Sequence, residues 1–257
     1  MNKVEVTSVS YSKLHTYLTC PRRFYYTYGE GIFQEETKYS IFGTYIHSVL
    51  EDYLKHLIKI RSPQDLKGLY NIANEKKQDY IQIPETGELS FFEADIILNR
   101  FASKKIDPES VYAIEKFFRV TTGSIPNIHL EGRIDRIDIE YGPEQDNLLH
   151  IIDYKTGKNK LTEEDMADDL QVKFYILASY FLFKKRYNVF KFSMYYLRDN
   201  SSVSFRAEFK TLLENEISAC IHRLSCDDKY DKTSGAHCYL CAAYKICKPD
   251  LSSIKRT

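Results

Sequence analysis

The sequence has 257 residues, with 36 Lys and Arg set against 36 Asp and Glu, 43% hydrophobic residues, 10 Gly, 7 Pro and 6 Cys. These values exclude a fibrous or disordered chain, and a chain this long buries a sizeable core without needing staples. A net charge of zero supplies no global attraction to nucleic acid or membrane, so any DNA binding has to rest on a local groove.

Met1 to Ser10 carry Lys3 and Glu5 and no apolar core of signal-peptide length. No apolar run approaches the roughly 20 residues of a membrane span. A cytoplasmic location with no membrane partner is the expectation. In a reducing compartment the cysteines are not expected to form disulfides, so close Cys spacings read as metal sites or buried small residues.

In chain order, Ser10 is a plausible N-cap for a helix carrying Leu14, Tyr17 and Leu18, stopped by Cys20 and Pro21. A second helix starts near Phe42, with Ile46, Leu50, Tyr53, Leu54, Leu57 and Ile58 at helical spacing, and ends at Ser62 and Pro63. Residues 64–106 hold helical patches broken near Pro84 and Gly87, read as a helical insertion. From Val111 the period becomes strand-like: VYAIEKFFRV, then NIHLEGRIDRIDIE, a turn at Gly142 and Pro143, and NLLHIIDYKTG, an antiparallel meander. A long helix from Glu163 to Arg186, two β-rich runs (FKFSMYYL and SVSFRAEF) and a helix over Leu212 to Leu224 follow. The end, 226–257, is loop-rich and cysteine-rich. These elements describe one α/β domain over 1–257, a central mixed sheet flanked by helices.

The most informative stretch is Ile151, Ile152, Asp153, Tyr154, Lys155, Thr156, Gly157. On a strand, Asp153 and Lys155 share one face. A carboxylate there can hold a hard cation, and a lysine beside it can orient a water attacking phosphorus. Asp135 on the preceding strand supplies a second acid. The alternation of apolar residues flips between Ile134 and Ile137, which predicts a bulge or strand end near Asp135. Taken alone, Asp153 and Lys155 would read as a surface ion pair. The odds change because Gly43, Thr44, Tyr45, Ile46 and His47 open a helix, with Glu51 one turn further, and Gln171 and Tyr175 sit on the helix after the lysine.

With those pieces in order, the sequence resembles the RecB-like branch of the PD-(D/E)xK nucleases from about Ser10 to Cys247. The opening run Ser10 to Phe24 also matches, as does Gly132 to Asp138. The resemblance implies a restriction-endonuclease-like core. It also implies Mg²⁺ or Mn²⁺ held by His47, Asp135, Asp153 and the backbone carbonyl of Tyr154. Lys155 would be the catalytic lysine, and Gln171 and Tyr175 would shape the site and contact the DNA strand. The activity implied is hydrolysis of DNA phosphodiesters, an exonuclease being favoured, on single-stranded DNA or free ends. A helicase or a CRISPR integrase is the partner class implied. The long 64–106 segment tilts the reading toward a generic RecB-family exonuclease. The competing reading is a DNA-gripping structural partner of a helicase-nuclease with little catalysis. Intact His47, Asp135, Asp153 and Lys155 weigh against it.

Cys238, Cys241 and Cys247 are close-spaced, and Cys20 adds a fourth thiol, the number needed for a Cys₄ zinc or a [4Fe-4S] cluster. Spacing alone does not choose between them. The resemblance favours the cluster, since one cysteine before the first nuclease motif and three after the last is the arrangement of iron-sulfur relatives. Such a cluster would join the chain ends. Cys220 and Cys226 fall outside the pattern. Among basic residues, Arg22, Arg136 and Lys158 have motif neighbours that make them candidate phosphate contacts.

Overall fold

Ser10 caps the first helix: its side chain accepts a hydrogen bond from the Lys13 backbone amide. The computed structural model describes residues 1–81, 91–141 and 148–249. In chain order its elements are β1 (Ser8–Val9), α1 (Tyr11–Thr19), α2 (Pro21–Phe24), α3 (Lys38–Ile60), α4 (Leu66–Ile81), α5 (Phe91–Ala102), β2 (Val111–Val120), β3 (His129–Glu140) and β4 (Leu148–Lys155). Then come α6 (Glu163–Asp168), α7 (Leu170–Leu182), β5 (Val189–Tyr196), β6 (Ser201–Glu208), α8 (Thr211–Cys226) and α9 (Tyr244–Cys247). The expected breaks at Pro84 and Gly87 and the turn at Gly142 and Pro143 lie outside the described residues. Among the described residues no helix is long and apolar enough to cross a membrane.

Two units interleave along the chain. The first comprises Met1–Glu35, Arg119–Gly132 and Lys210–Thr257. In it β1 pairs in parallel with His129 and Leu130. Tyr17 of α1 donates to Asp227, at 2.9 Å, just past α8. Tyr230 is fully buried beside Phe24 and Tyr25, and its hydroxyl accepts from the Val4 amide. Cys20 is extended, which ends α1 and lets Pro21 begin α2 at the position where its missing N–H costs nothing.

The second unit, Glu36–Phe118 and Arg133–Phe209, holds most of a mixed sheet. β2 pairs with β3, β3 with β4 antiparallel, β4 with β5 parallel and β5 with β6 antiparallel. The crossover between the parallel strands β4 and β5 carries α6 and α7. Paired residues share a face, so Leu149, Ile151, Phe190 and Phe192 lie together, and Tyr175 of α7 packs on Phe192. Ile152 and Tyr154 lie on the opposite face, in a core with Leu50, Leu54 and Leu57 of α3 and with residues of α4 and α5. Full burial of each such aliphatic side chain contributes roughly 1.5–3 kcal/mol.

Three expectations change. The second helix starts at Lys38, ahead of Phe42, because Thr37 and Ser40 form a reciprocal capping box; it ends where Arg61 turns left-handed. The single helix over Glu163 to Arg186 is two helices. Asp169 between them is extended, and its side chain accepts from the Val172 amide as the cap of α7. β3 is one unbroken strand. Its apolar alternation flips because Arg136 and Asp138 form a buried ion pair on one face while Ile137 fills the other. The left-handed residue sits in β2 instead, at Glu115 (φ 49°).

Candidate active site and cysteine centre

The last register pair of the β3–β4 ladder is Arg136 with Ile152. One step further, Asp135 Oδ2 accepts from the Tyr154 backbone amide at 2.7 Å. This fixes the Asp135 carboxylate beside Asp153 and the Tyr154 peptide. His47 reaches the same point from α3, its Nδ1 3.6 Å from Asp135 Oδ2. Gly43, one turn before His47, permits this approach: a Cβ there would lie 3.1 Å from Thr156 Oγ1.

Asp153, Lys155 and Gln171 form a closed ring. Lys155 Nζ donates to Gln171 Oε1 at 2.8 Å, and Gln171 Nε2 donates to Asp153 Oδ1 at 2.7 Å. Lys155 Nζ also lies 2.7 Å from Asp153 Oδ2, but off the hydrogen-bonding direction, so this buried oxygen accepts no hydrogen bond. Gln171 is buried in the first turn of α7 because Asp169 breaks and recaps the helix immediately before it.

One acid at the site was not legible as a site residue. Glu115 of β2 joins His47 and Asp135, with one ligand atom from each within 4.8 Å of the others. Its partner is Arg133, at 3.7 Å. The cleft also takes in Glu51, which pairs with Lys55. Burial, and then the Asp153 charge, push the Asp135 carboxyl up to about 7. Burial, and then Asp135 and Glu51, push Glu115 up to about 7. Burial pulls His47 below its ordinary value. Carboxylates crowded against one another beside an imidazole held toward its neutral form make a donor set that suits a hard divalent cation.

The other expected residues divide. Tyr175 donates to the Arg133 carbonyl at 3.0 Å, which ties α7 to β3. Lys158 is exposed. Arg22 donates its Nε to the Tyr230 carbonyl at 2.7 Å. Arg136 is a correction: it is only 8% exposed and bidentate on Asp138, so its guanidinium is recessed from any strand lying on the surface.

In the first unit, Cys20, Cys238, Cys241 and Cys247 line one cavity, with Cys20 and Cys238 buried. All are free thiols. The Thr233 amide points at Cys20 Sγ, 3.5 Å away. Burial raises the Cys247 thiol, with Cys20 and Cys241 adding to the rise and Lys232 and Arg22 opposing it. No three of these sulfurs lie within 4.8 Å of one another. Cys226 stands apart, against His222, and Cys220 lies on α8.

Residues 8–248 match the family model described as PD-(D/E)XK nuclease superfamily. Two relatives are each described as a subunit of an ATP-dependent helicase/deoxyribonuclease. The one from Acetivibrio thermocellus is 27% identical over 198 residues and the one from Alkaliphilus metalliredigens 22%. Each match takes in 64% of this chain and 17% of the relative. The crystal structure of SSO0001 aligns with 94% of this chain and 85% of its own at 10% identity, with a TM-score of 0.39.

Proposed function

Because the chain belongs to the PD-(D/E)XK nuclease superfamily, we propose that it is a metal-dependent deoxyribonuclease, acting as an exonuclease on single-stranded DNA or free ends. His47, Asp135, Asp153 and the Tyr154 carbonyl would hold Mg²⁺ or Mn²⁺, with Glu115, which gathers with His47 and Asp135, as a further donor. The observation that carries this reading is the ring of Lys155, Gln171 and Asp153, which holds the Asp153 carboxylate, with the Lys155 ammonium 2.7 Å from its Oδ2, next to the Asp135 and His47 pair. When bound, the cation supplies charge neutralisation and a more acidic water.

The side chains then divide the work. Gln171 keeps the Lys155 ammonium over the site by accepting from it, and its own amide holds the Asp153 carboxylate in one rotamer. Lys155 presents a compact positive charge to the attacking water and the phosphate. The water oxygen bonds to phosphorus, the bond to the 3′ oxygen breaks, and the products carry a 5′-phosphate and a 3′-hydroxyl. Tyr175 acts by fixing β3 through the Arg133 carbonyl.

The cysteine centre is read as a [4Fe-4S] site on Cys20, Cys238, Cys241 and Cys247. The four thiols lining one cavity, one of them from before the nuclease motifs and three from after them, support this reading. As for a partner, the relatives' description as parts of a helicase/deoxyribonuclease supports a helicase rather than a CRISPR integrase, and the chain spans only 17% of their length.

The test is cleavage of end-labelled single- and double-stranded DNA with Mg²⁺, Mn²⁺ or EDTA, on protein prepared without oxygen. Asp153→Ala and Lys155→Ala each abolish cleavage while the protein stays folded; activity surviving in both would end the assignment.

A further inference from the structure

The sheet of the second unit has an unusual second face. Where β3 to β6 turn Leu149, Ile151, Phe190 and Phe192 toward one side, the opposite side carries Arg136, Asp138, His150, Lys191, Ser193 and Ser204. A buried ion pair and the buried hydroxyl of Ser193, with half-buried Ser204 beside it, are costly furnishings for an interior sheet face, and apolar residues would pack there at less cost. Ile152 and Tyr154, packed into the core with α3, α4 and α5, also border an open space on this face. A cavity of about 260 Å³ results, floored by the strands and walled by the end of α5 and the loop after it.

Its polar groups are ordered. His150 Nδ1 meets Glu140 at 2.8 Å and its Nε2 meets Ser193 Oγ at 2.6 Å, and Ser193 in turn meets Ser204 Oγ at 2.7 Å. Burial, and then Lys191, hold His150 down to about 4, so the positive charge comes from other groups. Lys104, Lys105, Arg136 and Lys191 line the cavity against Asp107 and Asp138. Glu140, bonded to Lys191 and His150, offsets one more cation, which leaves a surplus of one positive charge. Lys105 is exposed and makes no ion pair or hydrogen bond among the described residues. Beside these cations stand the rings of Phe101 and Tyr195, 5.7 Å apart between centroids, with the Lys104 ammonium 4.8 Å from the Tyr195 ring and donating to the Asn200 carbonyl at 2.6 Å.

We propose that this cavity is a binding site for a small organic phosphate of mononucleotide size, its phosphate at Lys105 with Lys104 alongside and its flat apolar part at the cavity's aromatic edge by Phe101 and Tyr195. The volume, the hydroxyls and the aromatic end are what a pocket for such a ligand needs. The site is separate from the nuclease cleft. Successive strand residues point to opposite faces, so Asp153 serves the cleft and Ile152 and Tyr154 the cavity side, and a ligand here would press on the back of the strand that bears the cleft's carboxylate.

The experiment is isothermal titration of the full chain with AMP and, separately, with inorganic phosphate, in EDTA so that no cation recruits either probe to the cleft. One AMP binds per chain. Joint reversal of Lys104→Glu and Lys105→Glu weakens it by about tenfold or more. Ser202→Trp, at an exposed edge-strand position lining the cavity, abolishes binding by filling it, and Lys155→Ala leaves it unchanged. No saturable AMP binding up to about 10 mM would overturn the proposal, as would binding that Lys155→Ala removes and the lysine reversals spare. Phosphate binding as tight as AMP would overturn the organic part of the ligand.

Discussion

Asp135 Oδ2 accepts from the Tyr154 backbone amide at 2.7 Å, immediately beyond the last register pair of the β3–β4 ladder. A side chain thus replaces a main-chain carbonyl as the partner of a buried strand amide. Asp135→Asn keeps an acceptor oxygen and removes the charge crowded against Asp153. Asp135→Ala leaves the amide unpaired at a cost of about 1–3 kcal/mol. In urea denaturation the Ala variant is therefore less stable than the Asn variant by about that amount, while both lose nuclease activity. Equal stability of the two would show that the Tyr154 amide finds another partner.

Gln171 touches both Asp153 and Lys155, and the proposed mechanism makes it a positioning residue. Gln171→Ala lowers turnover of labelled DNA by roughly 10- to 100-fold, the usual effect of removing a group that orients site ligands. The loss lies in kcat rather than KM. Wild-type kcat in this variant would detach Gln171 from the chemistry.

Asp135 and Glu115 are both pushed up to about 7, against roughly 4 for such carboxyls in an unfolded chain. Between those values the folded protein holds more protons than the unfolded chain, so stability in EDTA falls as pH rises from about 4 to about 7 and levels off above that. A bound divalent cation displaces these protons, so its affinity climbs over the same interval. Melting curves in EDTA and in Mg²⁺ from about pH 5 to about pH 8 diverge toward the alkaline end. Parallel curves would place the cation elsewhere.

Removal of one sulfur of the four-cysteine cavity has a chemical readout independent of nuclease activity. Protein prepared without oxygen contains iron and acid-labile sulfide, Cys20→Ser loses both and melts earlier, and Cys220→Ser retains both. Analysis for iron, sulfide and zinc decides the matter: zinc without iron in the wild-type protein would replace the cluster with a Cys₄ zinc site.

Much of this site could be read in the sequence because its residues fall at strand and helix spacings that carry chemistry: Asp153 with Lys155, and Gly43 with His47. Glu115 could not, since a lone acid in VYAIEKFFRV looks like an ordinary solvent-facing strand residue. Its one signal is a change of phase. Val111 and Ala113 are half-buried on odd positions, whereas Phe118 is buried and Val120 half-buried on even ones, and the left-handed Glu115 is where the register slips. The split between α6 and α7 had a comparable trace in the adjacent Asp168 and Asp169, a capping signal inside an otherwise continuous helical pattern. Arg136 failed as a phosphate contact because burial and pairing with Asp138 are tertiary facts that a motif neighbourhood does not carry.

The first unit draws on widely separated segments, and its Tyr17 hydroxyl is bonded to Asp227, 210 positions later. On a ribosome adding about 5–20 residues per second, α1 waits roughly ten to forty seconds for that partner to be synthesised. The cleft, by contrast, needs nothing beyond residue 209. Translation therefore completes the unit that holds the cleft first and leaves Cys20 without the other three thiols of its cavity until Cys247 has been made.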